Sequence, residues 1–582
     1  DYVIQSFNQD KPYDRFVQEQ IAGDEMWPES SDARLATGFH RNYPDESNAR
    51  NLWQRRQEIL DDITDATGAV FLGLTVGCAR CHNHKFDPIL QADYYRLQAF
   101  FANTAAADHI AMMSADQLAE YRQKRAGWEA QTREIRDQIA AVLAPGKKNE
   151  AKDYFEKYPA EIQAMILKPA AERNPLESYM WAKSKPYLEI TDDTAAGKLK
   201  GDAKKRYDEL KAELAKFNSI KPGELPEGMG IADLGRTAPP THVLAVGVYD
   251  HPKEEVQPGF LTLLDSAPAK IVPPENLEST GRRTALAKWL TDPSNPLVPR
   301  VMVNRIWQHH FGEGMVGTPS DFGIMGQRPS HPELLDWLAA EFVRRGWSMK
   351  SMHRLIMTSQ AYRQSSDHRA DAAAVDPGDR LLWAFRRQRL ESEVIRDSSL
   401  AVAGLLNLKA GGPSVYPELP EGMAAPRGGW KLSANDERNR RSVYIFVKRN
   451  SRYPMMEAFD MPDTHESCPR REITTTAPQA LTMLNDRVAL EWSRAFAGRV
   501  LAAKDPVETA FQLAYSRTPD GWEKDTAATF LEKQKRVIAA RPSSDKLALP
   551  TFTPEGMDPA AAAAFVDFCQ MLLNSNEFVY GQ

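Results

Sequence analysis

The spacing of apolar positions divides the chain into helical stretches separated by turn-rich loops. Val3, Ile4 and Phe7 fall on one helical face, and Phe16, Val17 and Ile21 do the same within 14–21. Residues 27–42 (WPESSDARLATGFHRN) read as a loop running into a short element. Residues 50–66 predict a helix with Leu52, Trp53, Ile59, Leu60 and Ile63 as its stripe. The apolar run 68–76 reads as a buried segment. Asp87 followed by Pro88 has the form of a helix start, a capping carboxylate and then proline in the first turn, leading through Tyr94, Tyr95, Leu97, Phe100 and Phe101.

Beyond residue 114 the pattern changes. Residues 115–222 are rich in Ala, Lys, Glu and Gln and predict long, exposed, charge-laced helices, paired as an antiparallel hairpin. Residues 223–280 are rich in Pro and Gly and form a linker, within which THVLAVGVYD has strand composition. From 281 to 410 helices return: 283–292, then 298–312 stopped by Gly312. A capping box of Ser330 and Glu333 opens a helix that closes at Gly346, and 348–365 and 389–406 follow. Residues 411–475 are looser, with strand-like RSVYIFVKR at 441–449, and 476–582 are helical again. The expected fold is mainly α and multi-domain, with a few short strands. Its parts are a first domain at 1–114, a helical insertion at 115–222, the linker at 223–280 and a helical domain at 281–582.

Composition narrows the class. At 582 residues the chain exceeds one ordinary core. Its 42% hydrophobic and 26% charged residues are usual for a globular protein. A net charge of −6 gives no nucleic-acid footprint, and no apolar run approaches the roughly 18 residues of a transmembrane segment. The chain opens at Asp1 already inside an amphipathic pattern, so we expect further residues upstream and read no targeting segment. Four cysteines exclude a disulfide scaffold. Cys468 and Cys569 are free or paired; spacing does not decide.

Cys78-Ala79-Arg80-Cys81-His82 carries the chemistry. It fits the attachment pattern of covalent haem c: two thiols at a fixed short spacing add to the two vinyl groups of haem, and the adjacent histidine becomes the proximal iron ligand. A thioredoxin-like pair would want a βαβ context, a zinc site could use Cys78, Cys81, His82 and His84, and an inert thiol pair is the remaining alternative. For the sixth ligand the candidates are His40 first, in a loop with polar neighbours, then His84, His109, Met112, Met113 and His242, or an open position. His309 and His310 point about 100° apart on a helix and read as packed or solvated side chains. Asp321-Phe322-Gly323 lacks the companions of a kinase site. In Cys468-Pro469-Arg470-Arg471 the proline stands one place too early for a sulfatase-type site. Lys448, Arg449, Asp460, Asp463, Arg470 and Arg471, with His465 and Thr474 to Thr476, suggest either a polar cleft for an anionic ligand or a network of structural ion pairs.

Several long segments are similar to a known family. VFLGLTVGCARCHNHKFDPI followed by YYRLQAFFANT resembles the cytochrome-type domain of a planctomycete and verrucomicrobial family that pairs two domains of uncharacterised function. TALAKWLTDPSNPLVPRVMVNRIWQHHFGEGMVGTPSDFG, HPELLDWLAAEFVRRGWSMKSMHRLIMTSQAYRQSS, CPRREITTTAPQAL and the final CQMLLNSNEFVY resemble the second domain. The resemblance implies an exported, periplasmic or extracellular protein, because haem is attached to this motif outside the cytoplasm. It also implies a redox partner protein or separate cytochrome module and an association with polysaccharide degradation. The expected function is therefore electron transfer or a haem-dependent oxidoreductase activity. The alternative is a surface glycan-binding or envelope scaffold protein in which haem is structural.

Overall fold

The computed structural model describes residues 1–45, 51–423, 429–542, 544 and 546–581. Of the structure, 53% is helix and 6% strand, which establishes a mainly helical fold. The chain divides into two compact units, residues 2–356 and residues 357–582 with Asp1. Among the described residues, no helix is long and apolar enough to cross a membrane.

The first unit opens with helices Tyr2–Asn8 and Tyr13–Met26. Phe16, Val17 and Ile21 are buried as their spacing requires, whereas Val3 and Phe7 are exposed, so the first helix does not bury its apolar face. The stretch read as a loop is helical: Ser31–Ala36 starts where Ser30 Oγ accepts the Ala33 N–H at 3.2 Å, and a 3-10 turn, Thr37–Asn42, follows. Helix Leu52–Thr67 buries Leu52, Ile59, Leu60 and Ile63 and runs on into a wide turn at Gly68–Leu72. Arg50, where the pattern begins that helix, lies outside the described residues.

Asp87 and Pro88 do not start the next helix, which spans Gln91–Gln98. Asp93 accepts the Leu90 N–H there at 3.2 Å. The Asp87 carboxylate accepts the Ile324 N–H at 2.7 Å instead. Tyr94, Tyr95, Leu97, Phe100 and Phe101 are all buried. Strand β1 (Thr104–Ala111), which the pattern does not reveal, pairs antiparallel with β2 (Glu227–Asp233). In the 223–280 segment β3 (Thr241–Leu244) and β4 (Pro252–Val256) form a hairpin.

The helices of 115–222 are less exposed than their charge suggests. Ile139 and Leu143 of Arg133–Phe155 pack with Ala195, Tyr207 and Leu210. Tyr158, Ile162, Ile166, Tyr179 and Met180 pack with Leu52 of the first helices. At roughly 1.5–3 kcal/mol per large buried side chain, the second cluster fixes the insertion to its host.

Helices Arg282–Leu290 and Val298–Phe311 follow, the latter stopped by Gly312 at φ 80°. Helix Pro332–Arg344 has no side-chain cap: Ser330 Oγ is bonded to the His331 ring at 3.0 Å, so the expected capping box does not form.

In the second unit, helices Arg487–Leu501, Gly521–Ala539 and Pro559–Leu573 pack around Trp492, Phe496, Val566, Phe568 and Cys569. Residues 441–449 are not a strand. A 3-10 turn, Ser442–Tyr444, precedes a single bridge between Val415 and Ile445, and Phe446 and Val447 are exposed. The reason is that side chains claim this backbone: Asp397 accepts the Ser442 N–H at 2.8 Å and its hydroxyl at 2.7 Å. Part of the loose segment, 424–428, lies outside the described residues.

Candidate functional site

The cysteine-histidine motif occupies a 3-10 turn, Val76–Arg80, and the residues after it. Cys78 is exposed, Cys81 is half-buried, and both thiols are free. The turn is anchored from below. The Arg80 carbonyl accepts bonds from the Tyr95 hydroxyl and the Gln91 amide, each at 2.9 Å, and the same Gln91 nitrogen reaches Leu244 O at 2.9 Å. The Arg80 guanidinium pairs with Asp61 at 3.3 Å. Asp61 also accepts from Gln57, Tyr94 and Gln98 at 2.8–3.1 Å. One turn along the helix, burial and the neighbouring Asp61 charge push the Asp65 carboxyl up to about 7.

His82 is exposed, and its Nδ1 lies 2.6 Å from the Asn83 carbonyl oxygen. A carbonyl only accepts, so Nδ1 donates, and in the neutral imidazole Nε2 is then the nitrogen with the lone pair. This is the tautomer that a metal-ligating histidine uses, held by the second-nitrogen hydrogen bond typical of such ligands. Cys81 Sγ packs against Gly247, in the turn of the β3–β4 hairpin. A methyl at Gly247 would sit 2.9 Å from that sulfur, on a backbone with φ +73°. Two free thiols and an exposed imidazole whose Nδ1 is already engaged, all on one short segment, fit covalent haem.

The alternative ligand sets are not assembled. Among the described residues, no group of three or more His, Cys, Asp or Glu side chains is placed to hold a metal ion. His84, needed for the zinc reading, is buried. Its Nδ1 accepts the Asp87 N–H at 2.8 Å, and its Nε2 faces Thr75 Oγ1 at 3.4 Å. The sheets among the described residues are two-stranded antiparallel pairs, which is not the βαβ setting of a thioredoxin-like motif.

His40 does not have the polar surroundings expected of it. It is 2% exposed, packed edge-on against Phe101 and beside Phe39. Thr67 donates its hydroxyl to Ile63 O, so His40 Nε2 must donate to Thr67 Oγ1, at 3.1 Å. Nδ1 is then a buried lone pair with no partner. Burial pushes the imidazole down to about 3, so it is neutral. His109 pairs with Glu227 at the surface, Met112 is exposed, Met113 is partly buried, and His242 donates to Lys253 O. His310 is bonded to His353 at 2.8 Å rather than solvated, while His309 is exposed.

Beside the motif segment lies a cavity of about 580 Å³ with an apolar wall of Leu74, Ile89, Leu297, Val316, Phe322 and Leu335. The Asp321-Phe322-Gly323 tripeptide serves here as a clamp: Phe322 N–H donates to Gly73 O at 2.8 Å, and Gly323 lies against the Asp87 carboxylate.

The expected polar cleft is divided into separate ion-pair clusters. Asp460 accepts from Arg389 and from Thr474 N–H, the latter at 2.9 Å. Arg471 pairs with Glu393 at 2.6 Å, and Asp463 pairs with His465 at 2.8 Å. Arg470 is exposed, and Lys448 and Arg449 are half-buried. Cys468 and Cys569 are both free, the second fully buried. Sequence reasoning missed Gly247, Gln91 and the Asp61–Asp65 pair, because nothing local marks contacts made across 11 to 166 residues.

A family model described as Protein of unknown function (DUF1549), PSCyt2, matches residues 1–106, and one described as Protein of unknown function (DUF1553), PSD1, matches residues 282–531. No curated protein and no solved structure matches the chain. The motif therefore lies in the first matched domain and the clamp around it in the second, and the chain belongs to the planctomycete cytochrome-associated family that carries these two domains of unknown function in tandem.

Proposed function

We propose that the chain is an extracytoplasmic c-type haem protein with an electron-transfer or oxidoreductase role. Cys78 and Cys81 form the thioethers, and His82 Nε2 is the proximal ligand. The observation that carries this reading is the His82 Nδ1–Asn83 O bond, which engages Nδ1 and leaves Nε2 as the ring nitrogen available to a metal, next to two free thiols. Bound haem supplies one-electron chemistry. The chain's residues hold the turn through Arg80, Gln91 and Tyr95, keep Cys81 unobstructed at Gly247, and set an apolar cavity next to the motif segment. The exposed position of Cys78 and His82 suits exchange with a redox partner or a cytochrome module. A link to polysaccharide degradation rests on the family resemblance alone. The names of the matching families favour a site outside the cytoplasm, where such haem is attached.

A binding or scaffold role draws on a different observation. An open cavity of about 770 Å³ in the insertion is lined by Tyr121, Arg125, Trp128 and Lys221, and the buried Trp128 indole N–H there has no acceptor among the described residues.

The test is expression with a cytochrome c maturation system, followed by a pyridine haemochrome spectrum and a haem stain after denaturing electrophoresis. A c-type band that survives denaturation and disappears in the Cys78→Ala/Cys81→Ala double variant is the expected result. Protein without haem after proper maturation overturns the reading.

A further inference from the structure

The second unit contains a polar cavity of about 360 Å³, at the small end of the range for ligand pockets. It is lined by three arginines and two glutamates, and their pairing leaves an imbalance. Arg438 pairs with Glu418 at 2.6 Å, and Glu491 pairs with Arg487 at 3.2 Å. Arg494 uses Nε to bond Leu549 O at 2.6 Å. Among the described residues, no carboxylate lies within ion-pair distance of it, so the two terminal nitrogens of its fork are unpaired. Arg396 is 2% exposed; its terminal nitrogens bond the carbonyls of Arg440 and Arg438, and its buried Nε has no partner. The nearest carboxylate to Arg396 is Asp397, at 3.7 Å.

The remaining wall is suited to hydroxyl groups and to one flat or apolar edge. Trp492 is buried along one side, and Tyr453 and Asn439 line the cavity with no side-chain hydrogen bond to any of the described residues. Glu418 and Glu491 accept hydroxyl protons and repel a second negative charge. We propose that this cavity binds a compact, hydroxylated monocarboxylate, its carboxylate taken by the unpaired edge of the Arg494 guanidinium and its hydroxyls by Asn439, Tyr453 and Glu418. Arginine is the residue suited to such two-point recognition of a carboxylate. The site is independent of the haem motif, which lies in the other unit.

Calorimetric titration of the full chain tests this with D-glucuronate, D-glucose and D-glucose 6-phosphate, three probes of similar size that carry one, no and two negative charges. Saturable glucuronate binding, at least about tenfold tighter than glucose, is expected, as is a loss of about tenfold in Arg494→Gln. Asn439→Asp is the second variant. It breaks no side-chain hydrogen bond and puts a negative charge in the cavity, and it should weaken glucuronate by about tenfold without altering the melting temperature. Absence of saturable glucuronate binding, equal affinity for glucose, preference for the phosphate, or affinity unmoved in a folded Asn439→Asp variant each overturns the proposal.

Discussion

Replacing Arg283 with methionine should be among the most damaging single changes to the first unit. Arg283 is 0% exposed, and its guanidinium faces three carboxylates. It donates to Asp24 at 2.6 and 2.7 Å, lies 3.3 Å from Glu25 and donates to Asp233 at 3.4 Å. The side chains of Glu25 and Asp233 are 0% and 1% exposed. These acids belong to helix Tyr13–Met26 and strand β2, and Arg283 to helix Arg282–Leu290, so one cation joins three distant stretches. Methionine keeps the apolar stem and removes the charge. It leaves three buried or half-buried acids facing one another without a cation. Breaking a buried pair in this way costs about 3–5 kcal/mol. At roughly 2 °C per kcal/mol for a unit of this size, the melting transition of the first unit should fall by about 6–10 °C at pH 7.

The pH response separates this mechanism from a packing defect. Burial already holds the Glu25 carboxyl above its usual range. A carboxyl whose folded pKa lies above its unfolded value gains stability as pH falls and loses it as pH rises. Without Arg283 that upward displacement grows, so the deficit of Arg283→Met should shrink between pH 7 and pH 5. Calorimetric melting of both proteins at the two pH values decides the matter. A deficit below about 1 kcal/mol at pH 7, or one equally large at pH 5, refutes the reasoning.

Two further predictions follow from single contacts. His40 is neutral in the fold, displaced from the usual 6.5 to about 3. Its contribution is complete above pH 6.5 and lost as pH falls toward 3, at about 1.4 kcal/mol per pH unit and about 5 kcal/mol in all. Urea unfolding of His40→Phe at pH 7 and pH 4.5 should therefore show an acid loss smaller than that of the wild type by about 3 kcal/mol; equal losses refute the assignment. On the proposed haem attachment, Gly247→Ala should obstruct Cys81 and leave the haem held through Cys78 alone, seen as a haemochrome α band moved to longer wavelength. Gly201→Ala, also at positive φ but with open space around it, is the control, and an unchanged two-thioether spectrum in Gly247→Ala refutes the role given to that turn.

The parts of this molecule that were legible in its sequence are those whose causes are local. Leu52, Ile59, Leu60 and Ile63 repeat at helical spacing and are buried together, and Gly312 stops its helix at the expected residue. The motif is legible for the same reason, since Cys78, Cys81 and His82 are contiguous and one turn positions them. Errors arise where a distant group takes a local signal. Asp87 has the composition of a cap, but its carboxylate is used by Ile324, 237 residues away. Residues 441–449 have strand-like composition, but Asp397 takes the Ser442 backbone. Of the two readings open for 460–471, the ion-pair network is the one formed by Asp460 with Arg389 and Arg471 with Glu393, partners 71 and 78 residues away. The same distinction separates charge density from a free cation. Lys448, Arg449, Arg470 and Arg471 are conspicuous in sequence, and Arg471 is neutralised by Glu391 and Glu393. Arg494 is inconspicuous, one arginine on an amphipathic helix, and the fold gives it a cavity but, among the described residues, no carboxylate. A binding cation is recognised by what the fold withholds from it, and only the assembled structure shows that.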